Sequence, residues 1–230
     1  MADYTFASND LAQGEFSRAS TGTWVADVYL TDPAAVLSVG QRGALSILGT
    51  TYQGTVTRFG GETGYARARV VGGAGKLDTV LDPSDYQGYD AGTIATQSLT
   101  DAGEAPGVGW LSGPGTGVTC NHWTRPKDTL RATMWRLGRL IGTNVNPALH
   151  WRCAPDGTFG LYDDSSPPDN TAAVDSDGSI FPQERLIIVW PQAGTLGPGQ
   201  SVTSYGAARL IQRVCYRWDG HDVAVDMWYS

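Results

Sequence analysis

The sequence predicts a mainly β fold with a few helices, an α+β protein, and three observations carry that prediction. Short runs of alternating apolar and polar residues recur along the chain, each bounded by glycine-containing turns, which is the period-two signature of half-buried strands. Glycine is abundant, at 30 of 230 residues, and supplies the backbone freedom that many tight turns need. Ten tyrosines and eight tryptophans provide side chains suited to sheet faces and interfaces, while charged residues make up only 17%.

The elements follow in order. In TWVADVYL, Trp24, Ala26, Val28 and Leu30 alternate with Val25, Asp27 and Tyr29, giving a strand with one buried face. ALSIL (44–48) and TYQGTVTRF (51–59) continue a meander that spans residues 22–71. GGETG (60–64) then turns the chain into YARARVV, with Tyr65, Arg67 and Arg69 on one face and Ala66, Ala68 and Val70 on the other. DAGTIATQSLTDAGE (90–104) reads as a short helix carrying Ala91, Ala95, Leu99 and Ala102 on one side. APGVGWLSGPGTGVTC (105–120) is too rich in Gly and Pro for a regular element and reads as a loop. A clearer helix covers 128–141, where Leu130, Met134, Leu137 and Ile141 recur at helical spacing, with Asp128 as N-cap and Gly142 as the stop. Residues 149–164 read as a hairpin turning at Asp156-Gly157, and the Asp-, Ser- and Pro-containing stretch 164–179 as a polar loop. RLIIVW (185–190) is a short buried strand. ARLIQRVCYRW and HDVAVDMWY flank Asp219-Gly220 as a closing hairpin, with Leu210, Val214, Tyr216 and Trp218 facing Val223, Val225, Met227 and Tyr229.

A chain of this length can bury one large β core or two small ones. Its net charge of −7, with positive charge mostly on arginine, argues against a general phosphate-binding surface. Cys120, Cys153 and Cys215 are too few and too scattered for a disulfide framework. MADYTFASND has neither the basic nor the apolar region of a secretory leader, and LIIVW is far too short to cross a bilayer. The expectation is a protein made in the cytoplasm and either soluble or assembled.

Motifs that carry chemistry are weak. RARVVGGAGKLDTVL places glycines and a lysine after an apolar run, but a phosphate-binding P-loop needs Gly where Val70 stands and Ser or Thr where Leu77 stands. A dinucleotide fingerprint starting at Gly73 fails at Asp78. The stretch therefore predicts a glycine turn at positive φ or in close backbone packing. Cys120, His122, His150 and Cys153 have the chemistry of zinc ligands, yet His150 and Cys153 differ in strand parity. Asp175, Asp177, Gly178, Ile180 and Glu184 match part of a calcium loop whose first ligand position is Ala173. Hydrolase signatures are missing, and nothing near Asp163-Asp164 separates the two pKa values. The sequence predicts no enzyme and assigns no catalytic, cofactor-binding or metal-binding residue.

One order of features stands out: GTWVADVYL, TTYQGTVTRFGG, RARVVGGAGKL, a short helix ending in DAGE, HWTRPKDTLRATMWRLG, HWRCAPDGTFGLYDD, and a final PGQSV followed by LIQRVCYRWDGHDVAVDMWY. It resembles the baseplate hub proteins of bacteriophage tails, the late-control D and tail-hub group, over most of the chain. VVGGAGKL and the closing PG-to-hairpin segment are its most telling pieces. The resemblance implies two β-barrel-like domains of tail-tube/hub type with a small helical middle segment. Residues 1–104 would form the N-terminal barrel-like domain. Residues 105–184 would form the middle, with helix 128–141 and hairpin 149–164, and residues 185–230 would complete a barrel. It further implies a homotrimeric virion protein of pseudo-sixfold character. That ring would join the tail tube, or its initiator, to a central spike or tail fibre and pass DNA only transiently through its lumen, with no cofactor and no membrane. Many hubs of contractile tails are longer, so a minimal hub and a distal-tail adaptor of a non-contractile tail are both consistent. Two other classes remain open: a non-catalytic carbohydrate-binding β-sandwich using Trp110 or Trp123, and a metal enzyme built on Cys120, His122, His150 and Cys153.

Overall fold

The structure, a computed structural model, describes residues 4–62, 64–107, 118–144, 149–163, 179–189, 196–204, 207–219 and 222–230. The chain opens with β1 (Tyr4–Phe6) and β2 (Asn9–Ala19), joined through Ala7 and Ser8. Both linking residues sit at positive φ, 47° and 69°, as a two-residue hairpin loop requires. β3 (Val25–Leu30), β4 (Arg42–Ile47), β5 (Thr50–Glu62) and β6 (Tyr65–Gly72) follow. Their order is β1-β4-β5-β6-β3-β2, and β1 also pairs with β2, so six strands close into a barrel.

The inner face follows the sequence pattern. Ala26, Val28 and Leu30 of β3 and Ala66, Ala68 and Val70 of β6 are buried, as are Phe6, Phe16, Leu45, Ile47, Tyr52 and Val56. Tyr65 and Arg67 are exposed on the opposite face of β6 and Arg69 is half-buried there. Two β-bulges interrupt the alternation, one between Leu11 and Gln13 and one between Val56 and Arg58. Each lets an extra residue oppose one partner and so resets which side chains point outward.

Beyond the barrel lie β7 (Val80–Leu81), β8 (Ser84–Tyr86), β9 (Tyr89–Asp90), α1 (Ala91–Ala102), β10 (Thr119–Cys120), β11 (Trp123–Arg125) and β12 (Asp128–Thr129). β7, β8 and β9 pair antiparallel with β12, β11 and β10, making an interrupted ribbon from which the helices arise. Asp90 caps α1 by accepting from the Gly92 N–H, and Gly103 at φ 85° ends it. Ala91, Ala95, Leu99 and Ala102 are buried as the spacing predicts.

α2 (Leu130–Asn144) buries Leu130, Met134, Leu137 and Ile141, again as predicted, but its ends differ. Thr129, not Asp128, accepts from a first-turn N–H, that of Ala132 at 3.2 Å, while Asp128 belongs to β12 and pairs with Arg136. Gly142 does not stop the helix, which runs on to Asn144. A single glycine at the end of a helix costs about 1 kcal/mol in propensity, which packing of the buried stripe outweighs.

β13 (Leu149–Cys153) and β14 (Phe159–Asp163) form the predicted hairpin, with Gly157 at φ 84° in its turn. It docks where β2 passes to β3, through Gly22 N–H to Trp151 C=O and Cys153 N–H to Gly22 C=O. β15 (Ser179–Phe181), β16 (Leu186–Val189), β17 (Ser201–Ser204), β18 (Ala207–Trp218) and β19 (Val223–Tyr229) complete the chain. β18 pairs with β2 over Gly14–Ala19, so the C-terminal strands extend the barrel sheet in the order β2-β18-β19-β16-β15. Val214, Tyr216 and Trp218 are buried opposite Val225, Met227 and Tyr229. Leu210 is the exception. A bulge between Ile211 and Arg213 shifts the phase, burying Ile211 and leaving Leu210 exposed. Among the described residues one barrel closes; the C-terminal strands continue its sheet and do not form a second closed ring.

An aromatic cluster sits where the two parts meet. Phe16 lies 4.7 Å from Tyr52, 5.4 Å from Trp24 and 6.0 Å from Tyr216, ring centre to ring centre. Beside it Arg18, also buried, donates to the Tyr52 hydroxyl at 3.1 Å and lies over that ring.

Candidate functional site

The glycine turn after β6 holds an anion, but an internal one. Gly73 and Gly75 take φ of 77° and 72°, and the N–H groups they orient, those of Ala74 and Lys76, donate to the two carboxylate oxygens of Glu104 at 2.7 and 2.5 Å. A Cβ at residue 73 would lie 2.6 Å from Glu104 Oε2, so glycine is required there. The turn thus cradles a carboxylate with the same backbone geometry that elsewhere cradles phosphate. Burial nevertheless raises the Glu104 pKa above the ordinary carboxylic range, against the opposing effect of the two N–H donors.

The residues considered for zinc do not converge. Cys120 is buried in β10, His122 is exposed, His150 Nδ1 lies 2.8 Å from the Thr21 hydroxyl, and Cys153 is buried beside Gly72. Among the described residues no three His, Cys, Asp or Glu side chains group as metal ligands. Burial pushes all three thiols up, Cys215 to about 12 and Cys153 further. None is expected to react with iodoacetamide at about pH 8 in the folded protein, and all three are expected to react once it is unfolded; mass spectrometry of the alkylated chain reads the result. Most of the calcium-loop positions lie outside the described residues, as does Trp110. Of them Ile180 is in β15 and Glu184 in the turn before β16. Trp123 is half-buried, its ring 5.8 Å from that of Tyr86, while among the described residues the exposed tryptophan is Trp135 of α2. Trp135 walls a groove of about 450 Å³ with Gly138, Arg139, His150 and Trp151.

The outer face of the barrel sheet carries a row of charged side chains. Cross-strand register aligns Arg58, Arg69, Asp27, Glu15 and Arg217 in one row across β5, β6, β3, β2 and β18. Arg69 binds Asp27 in bidentate fashion at 3.0 and 2.6 Å, and Arg67 approaches the same carboxylate at 3.7 Å while lying over Tyr29. Arg217 pairs with Asp226 at 2.7 Å. The bulge before Arg58 puts it directly opposite Arg69, a like-charge pairing that costs stability. Among the described residues Arg58 forms no ion pair. Sequence reading identified Arg67 and Arg69 on this face; Arg58 was not legible because only the bulge turns it outward.

Comparison with protein-family models and with curated protein sequences gives no match. Solved structures do match in fold. The 43 kDa tail protein of prophage MuSo2 from Shewanella oneidensis aligns with a TM-score of 0.67 at 11% identity, over 96% of this chain and 93% of that one. The tail protein of Neisseria meningitidis MC58 gives 0.59 at 14% identity, over 96% and 92%. The E. coli c3393 protein, described as a component of the type VI secretion system with structural similarity to the T4 tail proteins gp27 and gp5, gives 0.59 at 14%, over 99% and 76%. The chain therefore shares the fold of these proteins, mostly β with a closed six-stranded barrel and, among the described residues, two helices.

Proposed function

We propose that the protein is a structural component of a phage tail, a hub ring that joins the tail tube to a central spike or fibre and leaves a channel for DNA. The observation that supports this reading is architectural. The sheet of a closed barrel is extended through one of its own strands, in a fold that aligns over nearly the whole chain with tail proteins, one of them from a prophage. In this reading the chain acts without catalysis or cofactor, as part of the virion. Its three regions, 1–104, 105–184 and 185–230, serve in this reading as a barrel-bearing part, a helical middle and a set of strands that extends the barrel sheet. Its net charge of −7 opposes adhesion of DNA phosphates in the channel.

Light scattering across a range of protein concentrations tests the ring. Three chains of 24.5 kDa give a particle of about 73.5 kDa, and microscopy of that particle is expected to show a threefold ring with an axial channel. A stable assembly of another stoichiometry, or a solid particle, would count against the hub.

A further inference from the structure

The geometry points to a heterologous docking contact in which the arginine cleft on the outer face of β5 and β6 of one copy receives the acidic segment 78–90 of a second copy. The inference takes from the hub reading only that the partner is another copy of the chain.

The cleft is lined by Asp27, Arg58, Phe59, Gly60, Gly61, Arg67 and Arg69, a local charge of +2 from three arginines and one aspartate. The chain as a whole carries −7, so the remainder carries −9, and a second copy is itself an acidic partner. Arg69 is committed to Asp27, which leaves Arg58 and most of Arg67 to meet an outside anion. A Cβ at Gly60 would touch nothing within 4 Å, so the cleft floor is open to an approaching chain. β4 stops pairing with β5 at Thr55, so beyond the hydrogen bonds of Val56 with Gly40 and Gln41 the outer edge of β5 has no neighbouring strand among the described residues.

The counterpart is the segment from Asp78 to Asp90. It holds Asp78, Asp82, Asp85 and Asp90 and no Lys or Arg. Asp78 is taken by Arg131 and Asp90 caps α1, but Asp82 and Asp85 are exposed and form no ion pair among the described residues. Both surfaces also expose large side chains suited to an interface centre: Tyr65 next to the cleft arginines, at 52%, and Val80 and Tyr89 in the acidic segment, at 56% and 48%. A polyanion such as DNA is disfavoured because Asp27 lies within the cleft and the long-range field of the chain is negative. A contact between two different patches of identical chains is of the kind that generates rings.

Sedimentation velocity tests the contact. Raising salt from about 0.05 M to about 0.5 M is expected to weaken wild-type association, as screening of a charge-dependent contact requires. Arg58→Glu, and separately the double change Asp82→Arg with Asp85→Arg, are each expected to raise the dissociation constant by on the order of tenfold or more. Combining all three changes in one chain again sets opposite charges at position 58 and at positions 82 and 85, and is expected to recover association above that of either variant alone. That recovery also separates lost contact from misfolding. Association unchanged by either reversal, or no recovery in the combined variant, overturns the inference while leaving the hub untouched. A chain that stays monomeric at every concentration overturns it as well. A short DNA duplex that binds the wild type and not Arg58→Glu would reassign the cleft to nucleic acid. A charge-sensitive closed ring of a stoichiometry other than three would uphold the contact and sink the hub, whereas a closed dimer, whose interface is isologous, would overturn the contact.

Discussion

Replacing Phe16 by alanine is expected to lower the thermal unfolding midpoint by roughly 10 °C, with the barrel and the C-terminal strands melting in one transition. Phe16 is fully buried and its ring touches Trp24 and Tyr52 on the barrel side and Tyr216 on β18. Truncating a buried phenylalanine costs about 3–5 kcal/mol, because the lost transfer energy is joined by an unfilled cavity. In a chain of this size each kcal/mol shifts the midpoint by about 2–4 °C. The shared transition follows from position: β2 is hydrogen-bonded to β3 on one side and to β18 on the other. Differential scanning calorimetry reads both quantities. Two separated transitions in the variant would mean that the hydrogen bonds of β2 do not by themselves couple the barrel to the C-terminal strands and that this cluster does.

Replacing Glu104 by alanine is expected to cost about 2–4 kcal/mol, roughly 5–10 °C. Its two oxygens are the acceptors for the Ala74 and Lys76 N–H groups, which the glycine turn points inward. Removing the side chain leaves both donors facing a space they cannot fill, and each loses an acceptor at about 1–2 kcal/mol. Glutamine keeps one acceptor oxygen and should cost about half as much. It should also change the pH dependence. Because the folded pKa of Glu104 is raised above the unfolded value, its protonated form favours folding. That contribution is complete below the unfolded carboxylic pKa of about 4.3 and is lost as pH rises through the folded value. As pH rises above the unfolded value the wild type should therefore lose stability relative to Glu104→Gln. Denaturant midpoints for the two proteins at several pH values measure this, and parallel curves would refute it.

Where the residues spoke locally, the sequence was readable. Alternation in β3 and β6 and helical spacing in α1 and α2 identified the buried faces because each depends on a few neighbouring side chains. β2 was not read at all, although it is the strand that joins the barrel to the rest. Its bulge between Leu11 and Gln13 breaks the alternation, Arg18 is buried where a polar residue signals solvent, and the turn before it uses Ala7 and Ser8 instead of glycine. The ribbon of residues 80–90 against 119–129 is built from pairings of two or three residues, too short for any period to show. The glycine turn was recognised, but its occupant Glu104 stands 28 and 30 residues from the donors and only the fold brings it there. The exposed arginine face was visible in part, and the acidic segment that complements it was not, because its meaning depends on which charges find partners within the chain.

The long separation between β2 and β18 has a consequence for synthesis. Within the barrel, each strand finds its neighbours among the first 72 residues, and β1 covers one edge of β2 only at Asn9 and Asp10. The stretch Gly14–Ala19 on that edge waits for Arg213–Trp218, which follow much later in the chain. A nascent or truncated chain can therefore close its barrel and still present an unpaired strand edge, a template on which identical chains can pair. Such chains belong to the aggregation-prone fraction of any preparation, and the final hairpin is what removes them from it.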